Sequence, residues 1–359
     1  MIHVFLGTKA QLIKMAPLMR ELQDRGIEYN FIWSGQHRET IDDLRANFGV
    51  KAPDTRLYEG RDIVGMVQMA IWAIRLVIKA LTNRQSVWRG DRRGVVLVHG
   101  DTFSTLLGAI LARICGHQCF HVEAGLRSFN YFHPFPEELT RVAVFRLSQV
   151  LYAPGEWAVE NLMAMRAEVI DTRANTLLDA LRMIASEDTA PESLLPEGRF
   201  AVVSIHRFEN IYKREQLERI ISLVESAAET VPLLFILHAP TRKRLDDYGL
   251  ATRLENNPNI ELRPRYDYLT FIRLIMHAEF IITDGGSNQE ECSYLGLPCL
   301  LMRRYTERQE GLGDNAVISG YDPQVVADFV AGYRERKGER KLDSVSPSGI
   351  IAGHLERYR

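Results

Sequence analysis

Short runs of uninterrupted apolar residues alternate along the chain with longer stretches whose apolar positions recur every three to four residues. The runs at 2–6, 29–33, 95–99, 119–122 and 150–153 predict strands, and the stretches at 11–25, 38–48, 62–88, 103–115 and 137–147 predict helices. A strand that is apolar at every position is buried on both faces, the pattern of a parallel sheet covered by helices. An interruption at 187–198 holds Pro191, Pro196 and Gly198 among acidic residues and serines. Beyond it the rhythm restarts, with strands at 200–204, 233–237, 260–262, 280–283 and 299–302 and helices at 214–230, 241–248, 267–277, 288–294 and 323–334. A polar stretch then leads to an amphipathic helix at 350–358. This βαβ alternation on both sides of a break predicts an α/β protein of two Rossmann-like domains facing a central cleft, the default place for a ligand. The expected boundaries are 1–175, 176–340 and a C-terminal helix, 341–359, that packs back on the first domain.

The most apolar long segment, 63–81, carries Gln68, Arg75 and Lys79 and has helical spacing, with Val64, Val67, Ile71, Ile74, Val77 and Ile78 apolar. It predicts a buried amphipathic helix rather than a membrane span. Lys and Arg number 44 and Asp and Glu 46, a formal charge of −2, which argues against a dedicated nucleic-acid binder. Cys115, Cys119, Cys292 and Cys299 lie in apolar surroundings without zinc-ligand spacing, and predict buried reduced thiols. With no basic leader before the first strand, the expected location is the cytoplasm.

In open α/β sheets ligands bind beyond the carboxyl ends of the strands, and here those ends are polar. The first strand runs into Gly7-Thr8-Lys9, a turn that either caps a helix through Thr8 or holds an anion. Asp101 and Glu123 each follow a buried strand, and Glu137 opens a helix after Pro136. Each has an ordinary role available, a cap or a favourable charge at a helix start. Three carboxylates converging on one crevice would also suit proton transfer near neutral pH. In the second half, His206-Arg207 follows a strand and suits a phosphate; His238 is a weaker instance of the same kind. The sharpest feature is Asp284-Gly285-Gly286-Ser287, which joins a buried strand to a helix. Its glycines let backbone approach a phosphate, and Glu291, one turn on, could reach a ribose diol. The spacings of the P-loop and of the dinucleotide fingerprint are absent, which lowers ATP hydrolysis and nicotinamide redox chemistry as readings.

These residues fall in a set of motifs that resembles one family. The pieces are GTKAQLIKMAPL, GQHRE at 35–39, VHGDT at 98–102, HVEAGLRS at 121–128, PFPEE at 134–138, HRFEN at 206–210, DGGSNQEE at 284–291, LGLPCLLMR at 295–303 and TERQE at 306–310. In this order they resemble the non-hydrolysing UDP-N-acetylglucosamine 2-epimerases, as a divergent member. The resemblance implies a glycosyltransferase B type fold and inversion at C2 of a UDP-N-acetylhexosamine, for surface polysaccharide synthesis. The implied route eliminates UDP to a glycal and adds it back, with Asp101, Glu123 and Glu137 transferring protons and His206 beside the departing diphosphate. Lys9, Arg141, Arg207, Asp284, Gly285, Gly286, Ser287 and Glu291 are the implied substrate contacts. Gln36, Arg207 and His238 match positions at which a second UDP-sugar activates some members. No metal or other cofactor is implied, and a homodimer is. The chain departs from the family pattern at Lys9, at Ala174, at Phe208 and in the order of the Asp284–Ser287 loop. Two alternatives stay open: a hydrolysing relative that releases UDP and a free N-acetylmannosamine-like sugar, and a UDP-sugar glycosyltransferase on the same fold.

Overall fold

The computed structural model of the chain describes residues 1–36, 41–60, 62–63, 65–131, 135–186, 194–306 and 308–358. Part of GQHRE, His133 and Pro134, part of the break at 187–198 and Glu307 of TERQE lie outside the described residues. Two compact units are present: Met1–Met183 together with Val345–Arg359, and Ile184–Ser344.

The first unit is built on a parallel sheet of seven strands: β1 (Ile2–Leu6), β2 (Tyr29–Trp33), β3 (Thr55–Arg56), β4 (Val95–His99), β5 (Gln118–Val122), β6 (Val150–Ala153) and β7 (Glu168–Asp171), in the order β3-β2-β1-β4-β5-β6-β7. The second has six: β8 (Ala201–Ser204), β9 (Leu233–Leu237), β10 (Ile260–Pro264), β11 (Ile281–Thr283), β12 (Cys299–Leu301) and β13 (Ala316–Ile318), in the order β10-β9-β8-β11-β12-β13. The described pairs are all parallel. Each sheet reverses direction once, between β1 and β4 and between β8 and β11. Such a switch point opens a crevice at the strand carboxyl ends, because neighbouring crossovers leave in opposite directions. Every residue of β1, β2, β4, β6, β8 and β9 is buried, as their unbroken apolar runs require.

Three strands escape sequence reading: β3, β7 and β13. All three are sheet edges of incomplete burial, and β7 begins and ends on exposed acidic residues. The segment 345–359 carries the helix Pro347–Leu355, whose Ser348 N–H donates to Asp179 at 2.7 Å. His354 Nδ1 sits 2.8 Å from the Tyr152 hydroxyl.

The apolar segment at 63–81 forms the helix Met66–Thr82, interrupted at Asn83 before a short turn at Arg84–Val87. Its buried face is not the expected one. Trp72, Leu76 and Ala80 enter the core, whereas Val67, Ile71, Ile74 and Ile78 are exposed, Ile74 by 60 %. The helix is apolar on most of its circumference, so spacing alone does not single out the core side.

The four cysteines are buried and unbridged, and burial pushes the Cys119 thiol up to about 12. His3 and His121 are fully buried, and burial pushes each imidazole down to about 4. In the unfolded chain a histidine takes up its proton near pH 6.5, so between about pH 6.5 and 4 unfolding binds protons. Stability is therefore full above this window and falls as pH drops through it, each histidine withdrawing up to about 3 kcal/mol at the lower end. Thermal unfolding followed from pH 7.5 to 4.5 should show a melting temperature that declines from about pH 6.5. A flat profile over this range would exclude neutral buried imidazoles.

Candidate active site

In the first unit, the polar ends of β1, β4 and β5 meet at the switch point. Glu123 follows β5 with φ +66°, a left-handed backbone that costs a non-glycine residue on the order of 1 kcal/mol. Its partners fix it there. Lys14 Nζ lies 2.5 Å from Oε1, Asn175 Nδ2 donates to the same oxygen at 2.7 Å, and His99 Nε2 is 3.3 Å from Oε2. Only 8 % of the Glu123 side chain is exposed, so the carboxylate is held largely out of water. Lys14 lies on the helix Lys9–Asp24, His99 ends β4, and Asn175 precedes the helix Leu177–Ser186.

Asp101 is anchored by Arg141, with 2.5 Å between Oδ2 and Nη2. Arg141 reaches back to Glu138 at 3.4 Å, and the fully buried Glu138 also accepts from Arg127 Nε at 2.5 Å and from the Ser128 N–H at 3.1 Å. Two guanidinium groups and a backbone N–H hold Glu138 below the usual carboxylate range against the opposing effect of burial. Asp101 and Glu123 both act on the His121 imidazole, whose Nε2 donates to the Gly100 carbonyl at 2.7 Å. Two of the three expected carboxylates are thus gathered around one turn. Glu137 opens the helix Glu137–Leu147, one residue from Glu138, and its buried Oε2 has no hydrogen-bond partner among the described residues. No described contact joins it to Asp101 or Glu123.

The turn Gly7-Thr8-Lys9 closes on itself. Gln11 Oε1 accepts from the Gly7 and Thr8 N–H groups at 2.9 and 3.1 Å, and Thr8 Oγ1 accepts from Gln11 N. The Gly7, Thr8 and Gln11 N–H groups are thus used in this capping box, and the half-buried Lys9 side chain supplies a positive charge at the turn. Gly7 is required here, since a Cβ would overlap the Ser34 and Ser104 hydroxyls. Gln36 caps a neighbouring helix, its Oε1 accepting from Ser104 N at 3.3 Å.

In the second unit the loops after β8 and β11 are tied through Asp284, which is fully buried. Its carboxylate accepts from His206 N at 3.0 Å, Arg207 N at 2.9 Å and Asn210 Nδ2 at 2.9 Å. His206 Nδ1 stands 3.3 Å from Oδ1 without forming a hydrogen bond to it, so Asp284 holds this residue through its backbone N–H. His238 stacks on that ring with centroids 4.3 Å apart, and burial together with the neighbouring His206 pushes it down to about 3. Arg207 pairs with Glu209 at 3.0 Å.

Past Asp284, the helix Gly286–Leu295 begins at Gly285 without a side-chain cap. The N–H groups of its first turn, through Gly286 and Ser287, are oriented to donate to an anion. Glu291 is almost fully buried one turn along, with Asn288 Nδ2 donating to Oε2 at 2.8 Å. Here the two glycine turns part company: one is capped from within, the other is open.

Sequence reading missed Lys14, His99 and Glu138. A lone lysine among the apolar positions of the first helix was the available signal for Lys14; the other two looked like a strand end and a helix start. Among the described residues one group offers metal-ligand types, His3, Asp91 and His117. Asn30 Nδ2 donates to His3 Nδ1 and Gly94 N to His117 Nδ1, so each neutral ring carries its proton on Nε2, the wrong tautomer for metal binding through that atom.

A family profile described as UDP-N-acetylglucosamine 2-epimerase matches residues 20–347. A UDP-N-acetylglucosamine 2-epimerase of Methanococcus maripaludis is 31% identical over 347 residues, covering 92% of this chain and 90% of the relative. Among solved structures, the UDP-GlcNAc 2-epimerase of Neisseria meningitidis bound to UDP-GlcNAc aligns over 99% of both chains at 27% identity with a TM-score of 0.83. That of Methanocaldococcus jannaschii in complex with UDP-GlcNAc and UDP aligns over 100% of this chain and 99% of that one, at 27% identity and a TM-score of 0.81. A held carboxylate at one switch point, an open phosphate-type turn at the other and a likeness running the length of the sequence agree, and the chain belongs to the UDP-N-acetylglucosamine 2-epimerase family.

Proposed function

We propose that the protein interconverts UDP-N-acetylglucosamine and UDP-N-acetylmannosamine by elimination and re-addition of UDP. Removal of the C2 proton and departure of UDP from C1 give a glycal. UDP then returns to C1 as a proton is delivered to the opposite face of C2. The observation that carries this reading is the Glu123 carboxylate, held in strained backbone between Lys14, Asn175 and His99. A proton-transfer group must be fixed within hydrogen-bond reach of its proton, and a group with this many constraints is preorganised for that. Asp101, oriented by Arg141, is the second proton-transfer group, and Glu137 is assigned with them.

In the second unit, His206 and the open turn at Gly285–Ser287 receive the diphosphate, with Glu291 on the ribose. Lys9, Arg141 and Arg207 contribute positive charge, and Asp284 acts by holding the His206–Asn210 turn in place. Gln36, Arg207 and His238 remain the residues through which a second UDP-sugar would activate. The protein acts in the cytoplasm on precursors of a surface polysaccharide.

The experiment is incubation with UDP-N-acetylglucosamine in heavy water, followed by proton NMR. Deuterium at C2 together with the manno epimer supports the reading. Free UDP with free N-acetylmannosamine replaces it with hydrolysis, and absence of exchange rejects it.

We also assign a homodimer to the exposed stripe of Val67, Ile71, Ile74 and Ile78. A contiguous apolar stripe of this length is unfavourable in water, and a twofold axis would cover it with its own copy. Sedimentation should give twice the chain mass for the wild type and the chain mass for Ile74→Glu; a wild-type monomer would reject the assignment.

A further inference from the structure

The loop after β11 contains a directed chain of hydrogen bonds. The Gly285 N–H donates to Thr283 Oγ1 at 3.0 Å, so the threonine hydroxyl proton is free to go elsewhere, and it is donated to Asn288 Oδ1 at 2.9 Å. Asn288 Nδ2 donates to Glu291 Oε2 at 2.8 Å. The carboxylate, which can only accept, specifies the orientation of the amide, and the threonine hydroxyl meets its oxygen as a donor. The same amide folds over Gly285: a Cβ placed there would stand 2.7 Å from Asn288 Oδ1. Glycine at 285 and asparagine at 288 are thus mutually dependent.

From this geometry we infer that Asn288 is a positioning residue that sets the plane of the Glu291 carboxylate and so determines how strongly the site selects a ribose with its diol. The inference rests on the assignment of Glu291 to the ribose. A carboxylate fixed in plane meets a vicinal diol with two well-directed hydrogen bonds, whereas one free to rotate loses that selectivity without losing charge. The Thr283 hydroxyl begins the relay, and Gly285 leaves the space in which it runs.

The test is equilibrium binding of UDP and of 2′,3′-dideoxyuridine diphosphate to the full-length protein and its variants. Wild type should prefer UDP by about 10²-fold or more, as two hydrogen bonds to a charged group imply. Asn288→Ala should reduce that preference to about 3-fold or less by weakening UDP alone, leaving the dideoxy nucleotide bound as before. A role confined to folding would weaken both nucleotides together and leave their ratio unchanged. Thr283→Val keeps the side-chain shape and should lower the ratio in the same direction. Combining Thr283→Val with Asn288→Ala should cost no more than Asn288→Ala alone, because both interrupt one relay. An unchanged ratio in Asn288→Ala and Thr283→Val, or additive losses in the double variant, overturns the inference. Absence of UDP binding by wild type, or equal affinity for both nucleotides, overturns the functional assignment beneath it and the inference with it.

Discussion

Glu123→Gln should lower the rate of deuterium incorporation at C2 of UDP-N-acetylglucosamine by about 10³-fold or more while changing UDP affinity by only a few-fold. Loss of a positioned general acid or base removes roughly 10² to 10⁴ in rate. The upper part of that range is expected because Glu123 sits where substitution by water is poorest, with 8 % of its side chain exposed. The amide has nearly the shape of the carboxylate and can still accept from Asn175 Nδ2. Its NH₂ group, however, would then take the place of Oε2, 3.3 Å from His99 Nε2. Fold and nucleotide binding should survive, since His206, the Gly285–Ser287 turn and Glu291 lie in the other unit. Exchange within 10-fold of wild type would remove Glu123 from the chemistry and pass the role to Asp101 or Glu137.

The second large effect is expected at Asp284, and it is one of stability as much as of binding. The His206 and Arg207 N–H groups and the Asn210 amide all donate to a carboxylate with no solvent exposure. Asp284→Ala would leave these donors facing a void, at about 1–3 kcal/mol for each that finds no other acceptor, so about 3 kcal/mol or more in total. For a unit of this size that corresponds to a fall in melting temperature of roughly 6–12 °C. UDP affinity should fall as well, because the His206–Asn210 turn loses the group that anchors it. Asp284→Asn should be intermediate, keeping one accepting oxygen. If Asp284→Ala in the absence of ligand melted with wild type and only bound UDP weakly, Asp284 would be a direct ligand contact instead of the anchor of the turn.

Much of this architecture is written locally. Unbroken apolar runs marked the interior strands of both sheets, and the polar residues ending those runs included Asp101, Glu123, His206 and Asp284. Of the edge strands only β10 was legible; β3, at two residues, and β7, with exposed acidic ends, lack the burial that creates a pattern. The core-facing side of the helix Met66–Thr82 was misassigned for a different reason: its polar residues form one narrow stripe, and the wide apolar arc that remains does not show which part meets the core.

The candidate site divides along the same line. That Glu123 ends a buried strand is a property of neighbours in sequence; that it is held by Lys14 and Asn175 joins residues 109 and 52 positions away. The two glycine turns looked alike as sequence, yet Gln11 consumes the donors of one, while the helix beginning at Gly286 has no side-chain cap. Asp284 ends a strand in the sequence, and the fold buries it against the His206–Asn210 turn, which donates to it. By itself the sequence determined the alternation of strands and helices and the polar identity of the strand ends, since burial period and chain direction are carried by adjacent residues. Tertiary structure alone decided which polar group met which, because a hydrogen bond is satisfied by whatever the fold brings within about 3 Å, and sequence distance does not enter that requirement.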